Sequence, residues 1–238
     1  MERLDKVICS QTTKSRREVD GFIRRGRVTV DGIVVKDPAQ KLDPEKAAIC
    51  MDGKPLVFSR FVYYMLNKPA GILCVSRDPK AKTVVDLLRP EDSRKDIFPA
   101  GRLDKDTHGL VILTNDGDLA HRILSPKNHV MKRYQAILDG PIGEKEIQAF
   151  KEGPVLADGT KCLPADLTVL RDGERPLVEI TICEGKFHQI KRMFGTVDRG
   201  VDWLCRLSMG GLALDETLAE SEYRSLNEQE ISLLFKGC

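Results

Sequence analysis

The chain has 238 residues, of which 41% are hydrophobic and 31% charged, a composition typical of a folded globular protein rather than a disordered one. The first residues, MERLDK, are charged, and no apolar run approaches the ~18 residues that span a membrane, so we expect no secretory signal and no membrane association. The seven cysteines include no C-x-x-C pair and mostly sit in apolar runs, which indicates reduced core thiols in a cytoplasmic protein and no zinc site.

The net charge of +2 is unevenly distributed along the chain. Residues 1–58 carry 12 Lys and Arg against 9 Asp and Glu, an excess of +3, and the remaining 26 basic against 27 acidic residues give −1. A small positive excess near one end hints at a nucleic-acid partner.

The first 58 residues predict two helices and a hairpin. Residues 2–11 place Leu4, Val7 and Ile8 on one helical face. The capping-box pattern of Ser15 to Glu18 starts a second helix that ends near Arg25. Two β-branched runs flank Asp-Gly within residues 28–35 and predict a hairpin, and a short strand is expected near 49–51.

Basic residues cluster where the second helix meets the hairpin. The pattern favours RNA binding, although a solvated helix face is the alternative. This stretch resembles the alpha-L RNA-binding module of a ribosomal protein and of many RNA-modifying enzymes, through RLDK near the start, Ser-Arg at 15–16 and GRVTVDG at 26–32. The predicted RNA-binding residues of the module are Lys14, Arg16, Arg17, Arg24, Arg25 and Arg27.

The sequence DGKPLVFSR at 52–60 is typical of a linker, so we expect one domain over 1–58 and a second over 59–238. The second domain predicts many strands with single helices between them, and no βαβ regularity. This favours an α+β fold with a mixed, mostly antiparallel sheet. Strands are expected near 62–66, 72–75, 97–99, 110–113, 133–138, 165–170 and 177–183, and helices near 83–86, 118–124, 144–150, 187–197 and 228–235.

The loop between the apolar runs around 97–99 and 110–113 is dense in ionisable groups. A rigid scaffold commonly presents catalytic side chains in this way, and Asp104 is the candidate nucleophile. An Asp that caps a turn is the structural alternative. Asp104 and Asp106 together also allow a glycosidase, but their spacing does not establish the required carboxylate separation. His108 is a candidate general base, although a His beside Gly in a loop is more often a hydrogen-bonding turn residue.

A nucleophilic carboxylate has to stay ionised, which an adjacent cation favours. The predicted helix at 187–197 has an apolar stripe of Ile190, Met193, Phe194 and Val197 and an opposite face with His188, Lys191 and Arg192. One of these cations is expected to approach Asp104 and the others to meet phosphate. A solvated basic face is the alternative.

Four motifs in register resemble the RsuA-type pseudouridine synthases. The motifs are LNKPAG at 66–71, GRLD with Thr107, Gly109-Leu110 and LTNDG at 101–117, KRY at 132–134, and EGKFHQIKRMF at 184–194. Together with the N-terminal module, the resemblance covers nearly the whole chain.

The resemblance implies an enzyme that isomerises a uridine of rRNA to pseudouridine without a metal or an organic cofactor. Asp104 matches the essential aspartate, which attacks the ribose C1′ or follows an elimination route. Tyr134 matches the aromatic that stacks on uracil, Lys191 the basic partner of the aspartate, and Arg102 a residue that holds the RNA open around a flipped base. His188 and Arg192 are expected to contact RNA, and the resemblance leaves Asp106 and His108 as loop residues.

Two positions depart from the family pattern. Lys191 stands where many synthases have Arg, and His108 where many have Thr. The string FHQIKRMF resembles the small-subunit branch, so we expect 16S rRNA, or the assembling small subunit, as the partner of a monomeric enzyme. The alternatives are a synthase of 23S rRNA, a non-catalytic RNA-binding assembly factor, and a nucleoside or glycoside hydrolase.

Overall fold

The computed structural model describes residues 1–236. Within them the chain forms two compact units, one of residues 1–62 and 88–97, the other of 63–87 and 98–236. Residues 88–97 thus pack with the N-terminal unit although they follow a segment of the second unit in sequence. Where the folding domains divide stays a prediction, and Cys238 lies outside the described residues.

The N-terminal unit contains two helices, a two-stranded sheet of β1 and β4, and a four-stranded sheet in the order β3-β2-β5-β6. Its core is formed by the inner faces of both helices and by strand residues such as Val28 and Ile49. The elements are β1 (Glu2–Arg3), α1 (Leu4–Ser10), α2 (Arg16–Arg24), β2 (Val28–Val30), β3 (Ile33–Val34), β4 (Lys41–Leu42), β5 (Ile49–Met51) and β6 (Lys54–Leu56).

The local sequence explains these elements. Ser15 and Glu18 form the predicted capping box at the start of α2. Asp31 and Gly32 both have positive φ and turn the chain between β2 and β3, which confirms the predicted hairpin. The expected linker at 52–60 is partly wrong, because a second Asp-Gly turn at 52–53, also with positive φ, pairs β6 with β5.

The second unit is built on one nine-stranded sheet. Its main order is β11-β12-β10-β13-β9-β7-β15, and β14 and β8 pair with β13 and β9. The elements are β7 (Tyr63–Lys68), β8 (Phe98–Pro99), β9 (His108–Thr114), α3 (Gly117–Leu124), β10 (Lys132–Leu138), α4 (Glu144–Glu152), β11 (Asp166–Arg171), β12 (Leu177–Ile182), α5 (Gln189–Gly195), β13 (Val201–Met209), β14 (Leu212–Ala213), β15 (Tyr223–Ser225) and α6 (Glu228–Leu233).

Among the described strands, every pairing is antiparallel except that of β9 with β13. This confirms the α+β class with a mixed, mostly antiparallel sheet. The parallel pair requires close backbone approach at Gly109, where a Cβ atom would lie 2.3 Å from the carbonyl oxygen of Arg206. A glycine at this position therefore lets the central strands meet.

Two of the predicted elements differ from the structure. Residues 72–75 do not form the expected strand, and Leu73 makes only an isolated bridge with Thr83. The reason is topological, because both edges of β7 are already occupied by β9 and β15. The helix expected over 187–197 spans Gln189–Gly195 only, so His188 precedes it and Val197 follows it.

The six cysteines within residues 1–236 are free thiols, and Cys74, Cys162 and Cys205 are buried. Burial raises the pKa of the Cys205 thiol to about 11. No helix of the described chain is both long and apolar enough to cross a membrane.

Candidate active site

The loop that carries Asp104 leaves β8 and returns as β9, and these strands pair with each other. Gly101, with φ +95°, begins the turn, and the Thr107 N–H closes it by donating to the Asp104 carbonyl oxygen. Both ends of the loop are therefore strands of the sheet. A loop held in this way presents its side chains in a fixed position, as a catalytic side chain requires.

Lys68 anchors this loop from below. Its side chain is fully buried, and Nζ donates to the carbonyl oxygens of Pro69, Lys105 and Thr107 at 2.9, 3.1 and 2.8 Å. Burial lowers the pKa of the Lys68 ammonium, an effect that nearby carboxylates, among them Asp106, oppose. These three hydrogen bonds hold the loop backbone to the end of β7.

Two nitrogen-bearing side chains from the 184–194 segment, an imidazole and an ammonium, face Asp104. His188 Nε2 lies 3.5 Å from Oδ1, and Lys191 Nζ lies 3.8 Å from Oδ2. The Asp104 side chain is 26% exposed, so it is partly shielded from water and still open to a substrate. Asp104 thus has an imidazole and an ammonium as its neighbours in the cleft.

Lys191 makes its shortest contacts with Asp106, not with Asp104. Its Nζ donates to both carboxylate oxygens of Asp106, at 2.6 and 2.7 Å. The hydrogen bond from Lys191 lowers the pKa of Asp106, while partial burial acts in the opposite sense. Asp106 does lie in the loop, as expected, but its carboxylate shares Lys191 with Asp104. His108 instead pairs with Glu220 at 2.6 Å.

Tyr134 reaches the same cleft from β10. Its side chain is 7% exposed and lines the cleft together with Asp104, Lys191 and Thr107. Behind it lies the buried Arg206 of β13, whose Cζ is 6.0 Å from the ring centroid and whose Nε donates to the Leu110 carbonyl oxygen. The phenol is thus held at the wall of the cleft that contains the carboxylate.

The segment before α5 is fixed by its own hydrogen bonds. The buried Gln189 side chain accepts from the Lys186 N–H at 2.8 Å and donates to Glu184 at 2.6 Å. Glu184 also accepts from the Lys186 ammonium and from the Leu163 N–H. Burial would raise the pKa of Glu184, but these hydrogen bonds outweigh burial and lower it. This network fixes the position of His188.

The other predicted contact residues are placed differently. Arg102 is exposed and lines the cleft. Arg192 does not join them, because its guanidinium is held by Asp158 at 2.5 Å on another part of the unit. The predicted cationic face is divided for a simple reason: His188 has a left-handed backbone (φ +47°) and stands outside the helical geometry that spaced it with Arg192.

In the N-terminal unit, the basic residues fall into two groups. Lys14, Arg25 and Arg27 surround the half-buried Phe22 ring at 5.0, 5.6 and 4.3 Å from its centroid. Arg16, together with Arg3, binds the buried carboxylate of Asp5. The hydrogen bonds, chiefly that from Arg3, lower the pKa of Asp5 to about 2. The side chains of Arg17 and Arg24 are exposed.

Sequence reasoning missed three residues at or near the cleft. The local signal for Asp106 was present in its spacing of two from Asp104, whereas Lys68 and Arg206 act through long-range burial that no local pattern shows. Within residues 1–236, no group of three His, Cys, Asp or Glu side chains is arranged to hold a metal ion.

The chain matches known proteins over both of its units. Residues 62–196 match the RNA pseudouridylate synthase family, and residues 2–46 match the S4 domain. A crystal structure of a pseudouridylate synthase superimposes with a TM-score of 0.68 at 37% identity, covering 98% of this chain and 100% of the other. The chain therefore belongs to the RNA pseudouridylate synthases.

Relatives define the type of synthase. The chain is 44% identical to the RNA pseudouridine synthase YtzG of Bacillus subtilis (strain 168), over 98% of each chain. It is 43% identical to ribosomal small subunit pseudouridine synthase A of Escherichia coli (strain K12), over 97% of this chain and 98% of the other. It is an RsuA-type enzyme with an N-terminal S4 domain, as the sequence motifs predicted.

Proposed function

We propose that this enzyme isomerises a specific uridine of small-subunit (16S) rRNA, with Asp104 as the nucleophile. The observation that carries the proposal is the position of Asp104, which lies beside the Lys191 ammonium and the His188 imidazole in a cleft that Tyr134 also lines. A carboxylate that is partly exposed in the cleft and lies beside a lysine ammonium is placed to react with a substrate bound there.

The chemistry follows from the groups in the cleft. Attack of the Asp104 carboxylate on C1′ breaks the N1–C1′ bond and releases the uracil ring with the bonding electron pair. After the ring turns, C5 attacks C1′, the C1′–O bond of the ester breaks and the Asp104 carboxylate leaves with its electron pair. The C5 proton is then lost and N1 gains a proton. Tyr134 stacks on the ring and assists removal of the C5 proton. The target nucleotide has to be flipped out of the RNA to reach the cleft, which Arg102 supports.

The choice of substrate rests on the relatives and on one motif. Several relatives at 42–44% identity are named ribosomal small subunit pseudouridine synthase A. The segment Phe187-His188-Gln189 also resembles the small-subunit branch. The S4 unit binds the rRNA through its basic side chains, and the enzyme acts as a monomer in the cytoplasm.

Tritium release tests the proposal. rRNA labelled at C5 of uridine is incubated with the enzyme, in separate reactions for 16S rRNA, 23S rRNA and small-subunit assembly intermediates. We expect release from the small-subunit RNA or its assembly intermediates. Release from 23S rRNA alone would overturn the assigned substrate, and no release from any rRNA would leave an RNA-binding assembly role instead.

A further inference from the structure

Phe187 places an aromatic ring in solvent beside the catalytic cleft. Its side chain is 75% exposed, the largest exposure of any large hydrophobic residue that the structure describes in the second unit. An exposed Phe is unusual, because burying such a ring is favourable by roughly 1.5–3 kcal/mol. One face of the ring stacks on the His188 imidazole, with centroids 3.8 Å apart and planes at 20°.

The ring is held in place by a rigid base. His188 adopts a left-handed backbone (φ +47°), a conformation that costs energy in a residue with a side chain and is kept only by its surroundings. Those surroundings are the Gln189 and Glu184 hydrogen bonds on one side and the Arg192 N–H donation to the His188 carbonyl oxygen on the other. The exposed ring is therefore presented in a fixed orientation before any partner arrives.

The surface around Phe187 is basic and continuous with the active site. A second, wider cleft contains Phe187 and shares Arg102, Asp104, Lys186 and His188 with the cleft that contains Tyr134. Lys105 also lines the wider cleft, and it and Arg102 are exposed, whereas Lys186 is paired with Glu184 and Lys132 is buried. The exposed cations of the wider cleft are therefore Arg102 and Lys105. His188 contacts both Asp104 and Phe187, which puts the ring one side chain away from the nucleophile.

We propose that Phe187 is a stacking platform for a nucleobase that flanks the target uridine. The free face of the ring receives the base, and the exposed Arg102 and Lys105 contact the backbone phosphates. An exposed aromatic ring within a basic groove is the combination that binds unpaired RNA, since every base has a π-face. The inference rests on the proposed function, because it assigns a neighbour of the same flipped nucleotide.

The charges favour RNA over a protein partner as the occupant. A protein that docked on Phe187 would bury the surrounding cations, which requires matching carboxylates on the partner, whereas the target RNA brings phosphates with it. The continuity of the two clefts also means that RNA entering the Tyr134 cleft passes the Phe187 ring.

The test combines a protein variant with an RNA modification. Phe187→Ala and Phe187→Tyr are compared with the wild type for RNA affinity and single-turnover rate on the RNA that the wild type modifies. Each nucleotide flanking the target is replaced in turn by an abasic one. The control is Leu170→Ala, which removes an exposed apolar side chain of β11 outside both clefts.

We expect Phe187→Ala to weaken binding by roughly 5- to 150-fold, the range for loss of one base–aromatic stack. Phe187→Tyr should bind as the wild type does, and Leu170→Ala should be unchanged. At one flanking position the abasic RNA should weaken wild-type binding but have no further effect on Phe187→Ala. The platform would be overturned if Phe187→Ala bound the RNA as the wild type does. It would also be overturned if, at every flanking position, the abasic nucleotide weakened binding by the same factor in Phe187→Ala as in the wild type. Failure of the wild type to release tritium from any rRNA would instead refute the proposed function.

Discussion

Lys191 donates two hydrogen bonds to Asp106, at 2.6 and 2.7 Å, and stands 3.8 Å from the carboxylate of Asp104. One ammonium thus serves two carboxylates that are separated by one residue in the loop. In the free enzyme, the hydrogen bonds to Asp106 hold the Lys191 ammonium in a position that is also 3.8 Å from Asp104.

Substituting Asp106 and Lys191 one at a time distinguishes their roles. Asp106→Asn should lower the single-turnover rate by no more than about fivefold, because an exposed ion pair contributes only ~0.2–1 kcal/mol. Lys191→Met should lower it by roughly 10- to 100-fold, because it removes the positive charge 3.8 Å from Asp104, and two opposite charges about 4 Å apart attract by ~1–4 kcal/mol near a protein surface. Single-turnover tritium release measures both rates. Equal losses in the two variants would show that Asp106 takes part in the reaction directly.

Lys68 is expected to be required for both loop position and stability. Lys68→Met leaves the carbonyls of Pro69, Lys105 and Thr107 buried without their donor, which should lower the free energy of unfolding by about 2–5 kcal/mol and slow the reaction. Lys105→Met, at an exposed position in the same loop, is the control and should leave stability unchanged. Urea unfolding and tritium release measure the two effects. A Lys68→Met variant as stable as the control would contradict the anchoring role.

Local patterns predicted much of the fold. Ser15 and Glu18, Asp31-Gly32, and Asp116 before α3 each act through neighbours in sequence, and the structure confirms the helix or hairpin expected from each. The same kind of local pattern predicts a strand at 72–75, and this prediction is wrong. Whether a strand forms depends on a free sheet edge, which is decided by elements far away in sequence.

The candidate site was predicted less completely, for a related reason. Asp104, Tyr134 and Lys191 were named through motif resemblance and do converge on one cleft. The assignment of Lys191 to Asp104 alone was incomplete, because sequence spacing does not show which of two nearby carboxylates a flexible ammonium reaches. Arg192 was grouped with them by helical periodicity, which the left-handed backbone of His188 interrupts.

Two glycines with positive φ should respond very differently to alanine. Gly109→Ala would bring a Cβ atom within 2.3 Å of the Arg206 carbonyl oxygen where β9 meets β13, and should cost more than ~4 kcal/mol or prevent folding. Gly71→Ala meets no atom within 4 Å and carries only the left-handed backbone cost of about 1–2 kcal/mol. Thermal and urea unfolding compare them. Similar losses in both variants would mean that the central strands can separate without penalty.

The stability of the N-terminal unit should depend on the ionised form of Asp5. The folded pKa of about 2 lies below the usual carboxyl value, so the stabilisation is complete above about pH 4 and is lost as the pH falls towards 2. Asp5→Asn should therefore lower the free energy of opening of helices α1 and α2 by up to roughly 2 kcal/mol at pH 7. The difference from the wild type should shrink below pH 4. Amide hydrogen exchange of α1 and α2 in the full chain measures this. A difference that stays constant down to pH 2 would rule out the ion pairs as its source.

The central claim, that Asp104 is the nucleophile, is tested most directly by tritium release from C5-labelled small-subunit rRNA with Asp104→Asn and Asp106→Asn in parallel. The two variants remove the same charge from the same loop, so they differ only in which carboxylate is lost. We expect Asp104→Asn to release no tritium above background while it still binds the RNA, and Asp106→Asn to retain most of the wild-type rate. Release by Asp104→Asn at a rate near that of the wild type would contradict the assignment.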